Sequence, residues 1–289
     1  MGGEEAPARC AAPSAGVGWA DASTSCMVSP IGKAPKVGLI IPSPRAPVSA
    51  EAAALYPEVA VCTAELGLSS MTIRGYEEAM ERLVPVARRL AGEGVDGISV
   101  MGTSLTFFRG EAYNSTIERE VSRASGLPTT TMSTAIVRGL RALDVSRVIA
   151  VTAYTEEVDR RLGIFLEESG FRVVSVTGLG LTSLDAPGAV GSPALLRLVL
   201  DACLAARGDM DGVLISCGGL RALEVVQPIE EALDLPVVSS DLAGLWDVVG
   251  LIGASHPVEG YGRLLAGWWQ AGAATGCGPA PPGAGGREA

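Results

Sequence analysis

Histidine is nearly missing from this chain of 289 residues: the one present, His256, sits in the Pro-flanked loop Ser255-His256-Pro257. That scarcity leaves little room for Ser-His-Asp or Cys-His catalysis. The six cysteines contain no CxxC pair, so the usual ligand clusters of a zinc site are missing as well. Scattered through a chain this long and core-rich, they do not make a disulfide framework. No apolar run approaches the roughly eighteen residues of a membrane span. Lys and Arg number 22 against 32 Asp and Glu, a net charge of −10 without a basic patch, which argues against nucleic acid as a partner. Residues 1–34 have no basic start followed by an apolar core, so they do not read as a secretory signal. Their Ala, Gly, Ser and Pro instead predict a disordered N-terminal extension to a cytoplasmic protein.

What is present is apolar: 48% of residues are hydrophobic and only 19% charged, enough for two domains of ordinary size or one large one. Two stretches look like one piece of protein used twice. Asp96-Gly97-Ile98-Ser99-Val100-Met101-Gly102-Thr103-Ser104-Leu105 is echoed by Asp211-Gly212-Val213-Leu214-Ile215-Ser216-Cys217-Gly218-Gly219-Leu220. Each reads as a buried parallel strand, opened by Asp-Gly and ending in small polar residues and glycine. Lys36-Val37-Gly38-Leu39-Ile40-Ile41-Pro42 pairs in the same way with Arg147-Val148-Ile149-Ala150-Val151-Thr152-Ala153-Tyr154, and Gly126–Ser133 with Asp234–Asp241. Three strand pairs in the same order, at nearly equal spacing, mark an internal repeat.

Helical patterns fill the gaps. Met80, Leu83, Val84, Ala87 and Leu90 follow a helical stripe that Pro85 should kink or restart. Val158, Leu162, Phe165 and Leu166 begin a stripe after Thr155 as N-cap, and it ends at Gly170. Ser192-Pro193 reads as an N-cap with proline at the first helical position, opening a helix through Ala206. Strands alternating with helices predict parallel sheets covered on both faces. The expected fold class is therefore α/β: two pseudo-symmetric parallel-sheet αβα sandwiches with the active site in the cleft between them. The folded part is placed at 35–268, with one half centred on 36–140, the other on 146–250, and possible chain exchange between them. Residues 269–289 read as a flexible tail, and Trp268-Trp269 as packing for the last helix or an interface.

Ligands of such sheets bind beyond the carboxyl ends of the strands. Pro42-Ser43, Gly102-Thr103-Ser104, Tyr154 and Cys217-Gly218-Gly219 all fall there and should converge on one cleft. A cysteine closing a strand is ordinarily a small core residue, as Cys62 and Cys203 are expected to be. Cys217 differs because two glycines follow it, and successive N–H groups can form an anion-binding nest. A thiol beside an oxyanion site serves as proton donor or nucleophile. Thr103 and Ser104 offer hydroxyls and amides in the first half, and Tyr154 a phenol before a helix N-terminus. Together these donors suit a small carboxylate or an enediolate. Gly178-Leu179-Gly180 has no GxxG continuation and carries little weight as a nucleotide motif.

The segments Met101–Leu105, Thr130-Thr131-Met132-Ser133-Thr134-Ala135, Thr152–Tyr154, Leu214–Leu220, Pro236–Ser240 and Gly260–Leu264 resemble the arylmalonate decarboxylase family of the aspartate/glutamate racemase superfamily. The resemblance runs over about 36–265. Racemases and maleate isomerases of that superfamily typically carry a cysteine in each half; the decarboxylases resemble this chain in having glycine in the first, here Gly102. The resemblance implies a carboxy-lyase that works without cofactor or metal and removes one carboxylate from an α-aryl or alkenyl malonate. It implies a dioxyanion hole of Thr103, Ser104, Tyr154 and the amides of Ser104, Cys217 and Gly218. Cys217 would protonate the enediolate from one side, giving one enantiomer of a 2-arylpropionate-type acid. Pro42, Leu68, Met71, Tyr76, Leu105, Leu184 and Pro187 would line the pocket, joined by Ser43, Gly102 and Gly219. Met71 and Pro187 depart from the family pattern, and Arg45 adds a cation after the first strand, departures that bear on substrate choice.

Two other readings stand beside this one. A racemase or maleate cis-trans isomerase shares the scaffold but lacks its second thiol at Gly102. A non-enzymatic protein that binds small anions would have no use for a thiol beside a Gly-Gly nest. The expected partner is a small-molecule dicarboxylate, with no nucleic acid and no membrane, and the expected state is a monomer or small homo-oligomer.

Overall fold

A computed structural model describes residues 24–27 as backbone, and residues 34–43 and 48–267 in full. Arg45, Trp268, Trp269, the tail at 269–289 and most of 1–34 lie outside the described residues. Nine strands are described: β1 Thr24–Met27, β2 Lys36–Ile41, β3 Ala60–Glu65, β4 Gly97–Val100, β5 Thr129–Thr131, β6 Arg147–Thr152, β7 Arg172–Gly178, β8 Gly212–Ser216 and β9 Val237–Ser239. The helices are α1 Val48–Leu55, α2 Ile73–Met80, α3 Leu83–Gly92, α4 Thr103–Phe107, α5 Glu111–Ser125, α6 Met132–Ala142, α7 Glu156–Glu168, α8 Ser192–Ala205, α9 Val226–Leu233, α10 Ser240–Leu251 and α11 Arg263–Ala266, with a 3-10 turn at Pro187–Ala189.

The strands form two sheets, ordered β1-β3-β2-β4-β5 and β7-β6-β8-β9. Apart from the antiparallel edge strand β1, all pairings are parallel. The four parallel strands of each sheet follow one plan: the second strand of the half lies outside the first, then come the third and the fourth. The repeat seen in the sequence is thus a repeat of topology. Strands β4 and β8 are buried along their whole length, as central strands of sheets covered on both faces must be. The fold is the expected α/β architecture of two parallel sheets with flanking helices.

Local rules explain most element ends. Pro85 stands as the third residue of α3, where a missing N–H costs nothing, and the chain breaks between Met80 and Leu83 to put it there. Thr155 is the N-cap residue of α7, though its side chain makes no capping bond. At α8 the cap is Gly191, one residue earlier than expected; the Ser192 hydroxyl donates instead to Glu224 at 2.8 Å. Thr24–Met27, within the stretch read as an extension, pairs with β3 and sets Cys26 opposite Cys62 in register. Cys62 is fully buried in the core, as expected, but is also disulfide-bonded, which the sequence did not predict; Cys203 is free and buried as expected.

The last helix of each half reaches across. α10 packs on α6 and touches β4 and β5 as well as β8 and β9, while α6 reaches β9. This crossed packing brings the carboxyl ends of β4 and β8 to one place. Among the described residues no helix is long and apolar enough to cross a membrane.

Candidate active site

At those strand ends lies a cavity lined by Pro42, Ser43, Leu68, Met71, Met101, Gly102, Thr103, Ser104, Leu105, Tyr154, Leu184, Pro187, Cys217, Gly218 and Gly219. Fourteen of these are residues expected from the sequence, and Met101 is the addition. Tyr76 is the exception. It is fully buried behind the cavity, its ring tilted against Phe108 at 5.6 Å, and it influences the site as packing beside Ser104 rather than as lining.

Cys217 follows β8 directly, and its backbone takes φ +148°, a region that L-residues rarely occupy. Such strain collects at functional sites, where the surrounding structure holds it. The Cys217 amide donates to Ser240 Oγ at 3.2 Å, which anchors the turn to α10. The two glycines that follow are there for close approach. A Cβ on Gly218 would stand 2.5 Å from Asp241 Oδ1, and one on Gly219 would stand 2.9 Å from Pro187 Cβ. Burial pushes the Cys217 thiol up to about 12; Asp241 adds to the shift, while the amides of Gly219 and Leu220 and the Tyr154 hydroxyl oppose it. The thiol is therefore held in its protonated form at neutral pH.

The donors come from both halves. Gly102, in extended backbone, is the N-cap of α4, so Thr103 and Ser104 open that helix, where amides have no intrahelical carbonyl to reach. Thr103 is buried, and its hydroxyl donates to Met132 Sδ at 2.6 Å, a weak acceptor that a substrate oxygen can replace. Tyr154 is 2% exposed; burial, then the nearby Cys217, raises its phenol well above the usual range, so it too is a neutral donor. Its hydroxyl shares a 3.4 Å hydrogen bond with Ser216 Oγ. Its ring stands edge-on to Phe107 at 5.7 Å. Its amide donates to Thr152 Oγ1 at 3.1 Å, and Thr152 donates in turn to Asp159. Neutral O–H and S–H groups thus surround a pocket whose remaining wall (Pro42, Leu68, Met71, Leu105, Leu184, Pro187) is apolar. That arrangement can bind a carboxylate and stabilise further negative charge as it develops.

Sequence reasoning missed Met132, Ser216, Ser240 and Asp241 as neighbours of the reacting groups. Met132 and Ser216 lay inside motifs already singled out. Ser240 and Asp241 lay at the end of the repeated segment Asp234–Asp241, where nothing marked them as neighbours of the thiol.

Known proteins resemble the chain over this same region. The sequence model of the arylmalonate decarboxylase family matches residues 37–265. The chain is 44% identical over 232 residues to arylmalonate decarboxylase of Bordetella bronchiseptica, covering 80% of this chain and 96% of that protein. A solved structure of a liganded arylmalonate decarboxylase variant, with one glycine changed to cysteine and one cysteine to serine, superposes with a TM-score of 0.76 at 43% identity, covering 80% of this chain and 98% of that one. A maleate cis-trans isomerase of Nocardia farcinica shares the fold, with a TM-score of 0.76 at 21% identity over 80% of this chain and 98% of its own. With the family match spanning both sheets and the cavity between them, the chain belongs to the arylmalonate decarboxylase family and is a homologue of its carboxy-lyases.

Proposed function

We propose that this chain removes one carboxylate from α-aryl or α-alkenyl malonates without a cofactor, and that Cys217 protonates the resulting enediolate on one face. The observation that carries the reading is a single buried, protonated thiol beside a set of neutral donors, with glycine at the matching position of the other half. Thr103, Ser104, Tyr154 and the amides of Ser104 and Gly218 hold the carboxylate that stays; the Cys217 amide, expected to join them, is given to Ser240 Oγ and reaches substrate only if that bond is exchanged. The carboxylate that leaves faces the apolar wall, where its hydration is replaced by side chains. As the C–C bond breaks, its electron pair passes into the retained carboxylate, CO2 departs, and charge grows on two oxygens that preorganised donors stabilise more strongly than in the ground state. The S–H proton then moves to carbon from the Cys217 side, leaving a thiolate that regains a proton from solvent. The product is one enantiomer of a 2-arylpropionate-type acid. In this reading the enzyme works in the cytoplasm on a small dicarboxylate, as a monomer or small homo-oligomer.

Gly102 weighs against a racemase or cis-trans isomerase, because two-base chemistry needs a second thiol on the other face. Incubating the purified protein with phenylmalonate and measuring CO2 release separates the readings. CO2 release supports decarboxylation, and α-methyl-α-phenylmalonate should then give one enantiomer of 2-phenylpropionate. Racemisation of an optically pure acid without CO2 supports the racemase, and binding without turnover supports an anion carrier.

A further inference from the structure

Two acidic side chains are buried together behind the Cys217 turn. Glu51 on α1 is 5% exposed and Asp241 on α10 is 3% exposed, and each leaves one carboxyl oxygen, Glu51 Oε2 and Asp241 Oδ2, without a hydrogen-bond partner. α1 and α10 pack against one another. Asp241 lies directly on the nest: its Oδ1 is 2.5 Å from where a Gly218 Cβ would stand. A carboxylate there would set negative charge against the same amides that must receive the substrate's carboxylate.

No compensating cation faces the pair among the described residues. Of the elements packed on α10, α6 brings Arg138, which is bound to Asp247 at 2.8 Å and lies 3.8 Å from Glu118, and Arg141, which donates to Ser169 O. α11 brings Arg263, paired with Asp234 at 2.6 Å. β4, β5, β8 and β9 contribute no ionisable side chain, and β8 leads to Cys217. β3, packed on α1, ends in Glu65. Two buried carboxyls with no cation between them cannot both ionise cheaply.

We propose that Glu51 and Asp241 retain a shared proton under the Gly218 turn, and that Asp241 is a positioning residue which must be neutral for the nest to accept an anionic substrate. Burial raises Glu51 to about 7, and burial with the charge of Glu51 holds Asp241 well above the carboxylate range. The pair therefore keeps a proton through neutral pH and loses it on the alkaline side.

The consequence for turnover rests on the decarboxylase reading; the shared proton does not. The test pairs two measurements. The first is the infrared band of a protonated buried carboxyl at neutral pH, which needs no substrate. It is expected in the wild type and should be weakened or lost in Asp241→Asn; its absence from the wild type overturns the proposal. The second is the pH profile of kcat/KM on phenylmalonate. Asp241→Asn, neutral at every pH, should move the alkaline limb up by a pH unit or more. Glu51→Gln removes the like charge, so it should let Asp241 ionise earlier and move the limb down. Opposite shifts are not produced by loosened packing. Limbs that stay in place, or move together, overturn the positioning role. If Asp241→Asn does not fold, the downward shift in Glu51→Gln carries the test. A wild type that shows the band but releases no CO2 sinks the decarboxylase reading instead.

Discussion

Gly102 and Cys217 stand at the same register of two equivalent strands, β4 and β8, and line one cavity. Only one of the two positions carries a thiol, so protonation is expected from one face. A Cβ added at Gly102 would meet Leu105 Cδ1 at 2.5 Å, the far end of a flexible side chain that can turn aside. Gly102→Cys should therefore fold and racemise a 2-arylpropionate, one thiolate removing the proton and the other thiol returning it. Gly102→Cys combined with Cys217→Gly should invert the product, at reduced rate because the donors are set for the original geometry. Chiral chromatography of the product from a prochiral malonate checks both. An active double variant that still gives the original enantiomer would show that the two positions do not address opposite faces.

Cys217→Ala should abolish nearly all decarboxylation while circular dichroism stays that of the wild type. Tyr154 lines the cavity too, but its phenol is held well above the usual range and is assigned to the retained carboxylate, while the Glu51–Asp241 pair is outside the lining. Activity within a few-fold of wild type would take Cys217 out of the mechanism.

Tyr154→Phe and Thr103→Ala each delete a buried neutral donor. Each should lower kcat on phenylmalonate on the order of 10²-fold or more, the usual scale for one oxyanion donor. An effect confined to KM would assign these hydroxyls to binding alone.

The parts of the fold that were legible in the sequence were those whose burial is extreme. β2, β4, β6, β8 and β9 are buried almost throughout and read as largely apolar runs. β7 did not, because Arg172–Gly178 is an edge strand with intermediate or exposed side chains and mixed polarity. β1 is an antiparallel addition inside an Ala-, Gly-, Ser- and Pro-rich stretch with no strand pattern. In the site, the residues at strand ends could be placed from topology alone. Leu68, Met71, Leu184 and Pro187 could not: they sit in connections whose path is set by tertiary packing, and only family resemblance pointed to them. Asp241 was hidden by its position. An acid in the first turn of a helix satisfies the dipole so well that nothing in the sequence marks it as buried.

The same buried acids should shape stability. Folding raises the Glu51 carboxyl from 4.5 to about 7, so the native state binds this proton more tightly than the unfolded chain. The stability it contributes is complete below about pH 4.5 and is lost as pH rises through about 7; Asp241 acts in the same direction. The melting temperature should accordingly fall between about pH 5 and pH 8, and fall less in Glu51→Gln. Equal slopes in wild type and variant would mean that Glu51 ionises in the native state as freely as in the unfolded chain.

Thr152 offers the sharpest separation of holding from reacting. Its hydroxyl accepts from the Tyr154 amide and donates to Asp159, and all three residues are buried. Asp159 is admitted by Gly178, where a Cβ would overlap its Oδ2 and crowd Tyr154 O as well. Thr152→Val keeps the shape but strands a buried amide and a buried carboxyl, a destabilisation of about 1–3 kcal/mol for each group left unsatisfied. Thr152 is not among the residues that line the active-site cavity, and its hydroxyl is bonded to the Tyr154 amide, so a loss of turnover is expected to arise through the placement of Tyr154. The expected result is a lower urea midpoint together with a kcat reduced by roughly tenfold, the equivalent of about 1.4 kcal/mol of lost transition-state stabilisation. Thr152→Ser restores the hydroxyl and should recover most of the rate even where stability recovers only in part. A valine variant that is destabilised yet turns over at the wild-type rate would leave the Asp159–Thr152 brace as a support of the fold with no part in aiming the phenol.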